Sequence, residues 1–296
     1  MAADVMRRLL GRPLSRAMTT LAFVGVLQTA AFADAPRRVV SFNLCADQLV
    51  LALADPEQIA GLSPYAADAS VSVLADRARA HRRLDWQAES TIALGPDLVL
   101  IGDTDRPITK HMLRAQGLRL HEITLIADLA TARRQVEDVA AVLGHPERGA
   151  KLIAEIEAAR ARLAAVPRPP FATALLVNRG GYTAGARSLA AVLLEEAGLK
   201  APPGAPGGYG GYLPLERLLI LHPDVIVLNN LPTDAQDQGS TNLTHPALAA
   251  LYPPERRLIL PTRYTLCGGP ALIAAFDYLA AMLSRLSAQP ATMRTN

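Results

Sequence analysis

Two stretches decide how this chain reads: Glu89-Ser-Thr-Ile-Ala-Leu-Gly-Pro96-Asp97-Leu-Val-Leu100 and Glu216-Arg-Leu-Leu-Ile-Leu-His-Pro223-Asp224-Val-Ile-Val227. In each, a glutamate stands eight residues ahead of an aspartate, and the apolar pairs Ile92/Leu94 and Leu219/Leu221 hold equal offsets. A proline disfavours helical backbone in the residue before it, so each Pro ends a short helix. Each Asp then opens an apolar run of the kind a buried parallel strand requires. One unit is used twice, which implies two lobes of similar build.

Outward from the first unit the pattern gives a strand at 38–42, a helix through Ala46, Leu49, Leu51 and Leu53, and a short strand at 59–62. A helical turn at 89–94, a strand at 97–101, a helix at 108–115 and a strand at 120–124 follow. Around the second unit lie a strand at 172–178, a helix at 189–197, a helical turn at 215–221 and a strand at 224–229. A helix at 246–251, a strand at 257–260 and a terminal helix from Pro270 to about Leu286 complete it. Strands alternating with helices at this spacing predict α/β lobes with mostly parallel sheets. The segment between them is polar and alanine-rich. Its second half places Leu152, Ile156, Ala159, Leu163 and Val166 at helical steps, with Pro146 suited to a first turn and Pro167, Pro169 and Pro170 as terminators. A helix of about twenty residues spans about 30 Å, enough to cross between lobes. The expected organisation is a first lobe at 34–130, a helical connector at 131–167 and a second lobe at 168–296.

The first 33 residues read as a signal peptide. Arg7, Arg8, Arg12 and Arg16 form a basic start, an apolar stretch runs from Ala17 to Phe32, and Ala31-Phe32-Ala33 offers a small-x-small cleavage site. Thr19, Thr20, Gln28 and Thr29 interrupt the apolar stretch and leave it short of the roughly 20 residues of a membrane span. Cleavage would remove those four arginines and Asp4, taking the formal charge from +3 to zero. A neutral surface without a Lys/Arg run argues against a nucleic-acid partner. With 50% hydrophobic and 19% charged residues, the chain is of the folded globular class.

Cys45 and Cys267 are the two cysteines, one per lobe, each in a loop entering a helix. An oxidising compartment permits a bridge between them, and two free pocket thiols are the alternative. The histidines are scattered singly, so no metal-ligand spacing arises and no metal or cofactor is expected. In open α/β sheets ligands bind beyond the carboxyl ends of the strands, which directs attention to the loops there. Those loops hold Asn43 and Cys45, Tyr65, Arg106, Arg179, Tyr182 and Tyr264, while Tyr209 sits in a Gly/Pro-rich loop and Trp86, the only tryptophan, precedes Glu89. Aromatic rings and guanidinium groups suit a large, flat or anionic ligand.

The doubled Glu-x6-Pro-Asp unit, the opening Arg38-Val-Val-Ser-Phe42 strand and the connector together resemble the periplasmic binding proteins of ABC importers for cobalamin, iron-siderophores and haem. The resemblance covers essentially the whole chain after the signal peptide. It implies the class III architecture, two Rossmann-like lobes joined by a long rigid connector helix with modest lobe closure. It also implies a periplasmic, monomeric protein that captures a metal chelate or corrinoid between the lobes. Glu89 and Glu216 match the glutamates that dock this family onto arginines of the ABC permease.

Two other readings stand beside this one. An exported α/β enzyme lacks any candidate constellation here, since there is no Gly-x-Ser-x-Gly elbow, Walker loop, His-Glu-x-x-His pair or dinucleotide fingerprint. A ligand sensor of the same fold would keep the cleft and dispense with the permease.

Overall fold

The computed structural model describes residues 35–229 and 245–288. The expected signal peptide lies outside the described residues, as does Asn230.

The first lobe runs β1 (Val39–Ser41), α1 (Leu44–Leu53), β2 (Ile59–Gly61), α2 (Ala75–Ala78), α3 (Ala88–Ile92), β3 (Leu98–Gly102), α4 (Pro107–Ala115) and β4 (Leu120–Ile123). Its strands form a parallel sheet in the order β2-β1-β3-β4. Two helices follow, α5 (Leu129–Leu143) and α6 (Pro146–Ala164). The second lobe holds β5 (Ala174–Val177), β6 (Tyr182–Ala184), α7 (Leu189–Glu196), β7 (Gly210–Tyr212), α8 (Leu215–Leu221), β8 (Val225–Leu228), α9 (Pro246–Leu251), β9 (Arg257–Ile259) and α10 (Pro270–Ala288). Its sheet has the order β7-β6-β5-β8-β9, with β5, β8 and β9 parallel.

Side chains alternate across a strand, and here the alternation sorts residues between two cores. From β1, β3, β5 and β8, Val39, Leu98, Leu100, Ala174, Leu176, Val225 and Val227 enter one large core shared with α1, α5, α6, α7 and α10. The intervening residues Val40, Val99 and Ile101 face a core private to the first lobe, and Leu175, Val177, Ile226 and Leu228 one private to the second. Each buried Val, Leu or Ile contributes about 1.5–3 kcal/mol, so the shared core couples the lobes through the faces that build them.

The spine between the lobes is pinned at both ends. Near its start α6 sends Arg148 to the Leu53 carbonyl at 2.9 Å and to the Asp55 carboxylate at 2.5 Å. Near its end Arg160 pairs with both oxygens of Glu196 on α7, and Arg162 with both of Asp277 on α10. The aspartates of the doubled unit do equivalent work in the two lobes. Asp97 accepts the N–H groups of Arg37 and Arg38 at 2.7 and 3.0 Å, which fixes the chain entering β1. Asp224 accepts from the N–H groups of Ala172 and Thr173 at 2.9 and 2.8 Å and from the Thr173 hydroxyl, fixing the entry to β5. Burial opposes the charge of Asp224, yet these donors hold its carboxyl below the usual carboxylate range.

Two expectations require correction. Tyr182 does not sit in a loop after a strand: it opens β6, which pairs antiparallel with β5 and β7. Gly180 and Gly181 at φ 70° and 78° supply the left-handed turn from β5 into β6, and glycine alone adopts such backbone without steric cost. The free-thiol alternative is replaced by a disulfide joining Cys45 to Cys267, with Cα atoms 5.1 Å apart.

Candidate functional site

Because the strands of the first sheet are parallel, the segments leaving their carboxyl ends gather on one edge. Phe42 and Asn43 follow β1, Ser63 to Tyr65 come just after β2, and Asp103 to Arg106 follow β3. There Trp86 forms the centre of a small platform. Its ring centroid lies 5.6 Å from those of both Phe42 and Tyr65, and the Arg106 guanidinium stacks 4.2 Å from it. The structure thus brings Tyr65, Trp86 and Arg106 together and adds Phe42, which reads in the sequence only as the end of a strand. Among the described residues Arg106 has no carboxylate partner.

Arg106 adopts φ 40° and ψ 67° immediately before Pro107, a left-handed conformation costing on the order of 1–3 kcal/mol in a non-glycine residue. Its neighbour Asp105 is fixed by a 2.6 Å hydrogen bond donated by the Asn43 amide. Gly102 leaves room for this pair, since a Cβ there would run into the Asp105 carboxylate and approach the Asn43 amide to 3.0 Å. Asn43 also caps α1, its side-chain oxygen accepting the N–H groups of Cys45 and Ala46 at 2.8 and 3.3 Å. The side chains of Asn43 and Cys45 are therefore already engaged, one in a cap and the other in the disulfide.

Beneath the Tyr65 loop lies Asp47, fully buried on α1. It accepts the Ser63 N–H at 3.0 Å and the Ser63 hydroxyl at 2.5 Å. Burial pushes its carboxyl up to about 6, against the opposing pull of hydrogen bonds from Ser41 and Ser63. An aspartate beside Gln48 in an otherwise apolar helix is the sequence signal for this buried anchor.

On the second sheet, Tyr182 packs edge-on against Tyr212 at 5.6 Å, and its hydroxyl donates to the Tyr209 carbonyl at 3.3 Å. Arg187 stacks 5.0 Å from the Tyr209 ring. Tyr264, beyond β9, is partly buried against Tyr278 at 5.0 Å and accepts a hydrogen bond from Arg263 at 3.1 Å. Arg179 stands exposed at the β5–β6 turn. Asn229, at the end of β8, donates to the Thr262 hydroxyl at 3.2 Å.

Glu89 and Glu216 each lie in the first turn of their helices, α3 and α8, with exposed side chains. A carboxylate there is favoured by the helix dipole, though a five-residue α3 offers only a short one. No helix among the described residues is long and apolar enough to cross a membrane.

A family profile described as "Periplasmic binding protein" matches residues 39–245. Cobalamin-binding proteins from two strains of Halobacterium salinarum are 25% identical over 218 residues, which is 72% of this chain and 58% of theirs. The chain therefore spans little more than half the length of these curated relatives. Among solved structures, a periplasmic heme binding protein from Pseudomonas aeruginosa superposes with a TM-score of 0.68 at 21% identity, covering 86% of this chain and 95% of that one. The vitamin B12 binding protein BtuF of Vibrio cholerae gives 0.64 at 15% identity, covering 86% and 99%. A Fe3+-hydroxamate transport protein from Saccharomonospora viridis gives 0.65 at 20% identity, covering 83% and 93%. At these identities the structural likeness speaks for the fold.

Proposed function

The chain belongs to the periplasmic binding protein family, and on that premise we propose that it captures an iron-siderophore or cobalamin-type ligand between its lobes and delivers it to an ABC permease. It is a periplasmic solute-binding protein, not an enzyme.

The observation that carries the delivery half of this reading is the way each copy of the doubled unit spends its two carboxylates. Asp97 and Asp224 are consumed by backbone donors inside the fold. Glu89 and Glu216 make no side-chain hydrogen bond or ion pair among the described residues. Two exposed carboxylates at matched positions, one per lobe, suit a partner presenting two basic patches.

The capture half rests on the platform of Tyr65, Trp86 and Arg106, with Arg179, Tyr182, Tyr209 and Tyr264 as the second-lobe contributors. Rings supply rigid contact area, and an arginine without a carboxylate partner favours a ligand carrying negative charge. In this reading Asn43 and Cys45 hold the wall and do not touch the ligand. The name of the halobacterial relatives supports the corrinoid arm, and the arginine supports a ferric siderophore with acidic groups. The protein would act as a monomer.

Trp86 makes the test direct, being the sole tryptophan and sitting in the proposed site. Titration with cobalamin and with hydroxamate and catecholate ferric siderophores is expected to give saturable quenching with one class. A flat response to every corrinoid and ferric chelate would overturn the ligand assignment.

A further inference from the structure

The Cys45–Cys267 disulfide closes across 222 residues and ties the first turn of α1 to the turn that precedes α10. That turn is seated against the first lobe as well as bonded to it. A Cβ on Gly269, at φ 62°, would lie 2.7 Å from the Leu49 side chain, and one on Gly268 would lie 3.3 Å from Ile126. The turn therefore packs closely on the Leu49 and Ile126 side chains of the first lobe. Nearby, Arg263 donates to the Ala69 carbonyl of the first lobe at 3.4 Å.

The same turn of α1 holds the loops of the platform. Asn43 grips Asp105, the neighbour of Arg106. Asp47 grips Ser63, two residues before Tyr65, and Gln48 accepts the Val73 N–H at 3.4 Å farther along that segment. Within six residues, then, the helix start carries a covalent bond to one lobe and hydrogen bonds to the ligand-facing loops of the other.

From this juxtaposition we infer that the disulfide is a latch: it limits how far the lobes part at the ligand edge, and α1 passes that restraint to Tyr65 and Arg106. Ligand enters and leaves past a tethered cleft. The restraint acts whichever ligand is bound.

The test uses ligand-free protein, comparing wild type with the Cys45→Ser/Cys267→Ser double variant well below the melting temperature. Acrylamide quenching of Trp86 is expected to rise about twofold as the platform loosens. The radius of gyration from solution scattering is expected to rise by about 1 Å on the roughly 19 Å of a compact chain this long. A variant that melts earlier but matches wild type in both readouts would mark the bridge as a stabiliser only and overturn the latch. Should circular dichroism show that the variant does not fold, native wild type reduced with a phosphine and alkylated, with two blocked thiols confirmed by mass, is read in the same two ways. Unchanged quenching and scattering there would equally overturn it.

Discussion

The two lobes solve one structural problem with the same unit but different residues. Each needs the chain to reverse hand between a short helix and a buried strand, immediately ahead of a proline. The first lobe places Gly95 there at φ 54°, and the second places His222 at φ 43°. Glycine occupies that region freely, whereas histidine bears a conformational cost of roughly 1–2 kcal/mol. His222 faces the Tyr252 ring at 6.3 Å. The unit therefore fixes a backbone shape and an aspartate clamp, and leaves the glutamate exposed to solvent. The lobes differ further in their first helices. α1 buries Asp47 and Gln48, while the buried positions of α7 are Leu189, Ala190, Leu193 and Leu194.

That last contrast yields the largest expected effect. Asp47 ionises in the unfolded chain near 3.8 and in the folded protein at about 6. Between these values the native state keeps a proton that the unfolded chain has lost, so stability falls as pH rises from about 4 to 6, by about 3 kcal/mol. Asp47→Asn makes the first lobe resemble the second in burying no acid on this helix. Urea unfolding of the variant is expected to lose that decline, and an identical pH dependence in variant and wild type would remove Asp47 as its source.

The aspartate clamps come next. Asp224→Ala and Asp97→Ala each strip a charged acceptor from two backbone donors and are expected to cost about 1.5–3 kcal/mol. Asp224 should be the costlier because it also holds the Thr173 hydroxyl. Glu89→Ala and Glu216→Ala, by contrast, should leave stability within about 0.5 kcal/mol. Equal losses at all four carboxylates would break the division of labour drawn between Asp and Glu.

Gly95→Ala gives a smaller effect of about 1 kcal/mol. An added Cβ meets nothing within 4 Å, so the cost is conformational and not steric. Thermal melts showing no destabilisation would mean that the first copy relaxes where the second cannot.

Much of this architecture is legible in the sequence because it follows local rules. Apolar runs after Pro-Asp mark β3 and β8, and the Gly144-His145-Pro146 break separates α5 from α6, with Gly144 in the left-handed conformation at φ 88°. The β6–β7 pair escapes such reading. Gly210 and Gly211 leave β7 without an alternation of apolar side chains, and the pairing rests on the backbone ladder and the contact of Tyr182 with Tyr212. The disulfide escapes for another reason, because no local pattern encodes the distance between residues 222 apart in the chain. In the candidate site, Tyr65 and Arg106 can be found from their places after strands. Phe42 and Asp47 are masked by the apolar strand and helix that contain them.

In the proposed function the lobes share a docking device built from the glutamates that the fold does not use. Its most direct test measures ligand binding and permease-dependent uptake on one protein, the Glu89→Ala/Glu216→Ala double variant, in vesicles carrying the permease. Unchanged ligand affinity with uptake reduced tenfold or more, about 1.4 kcal/mol or greater in coupling, is the expected result. Uptake at the wild-type rate with binding intact would contradict it.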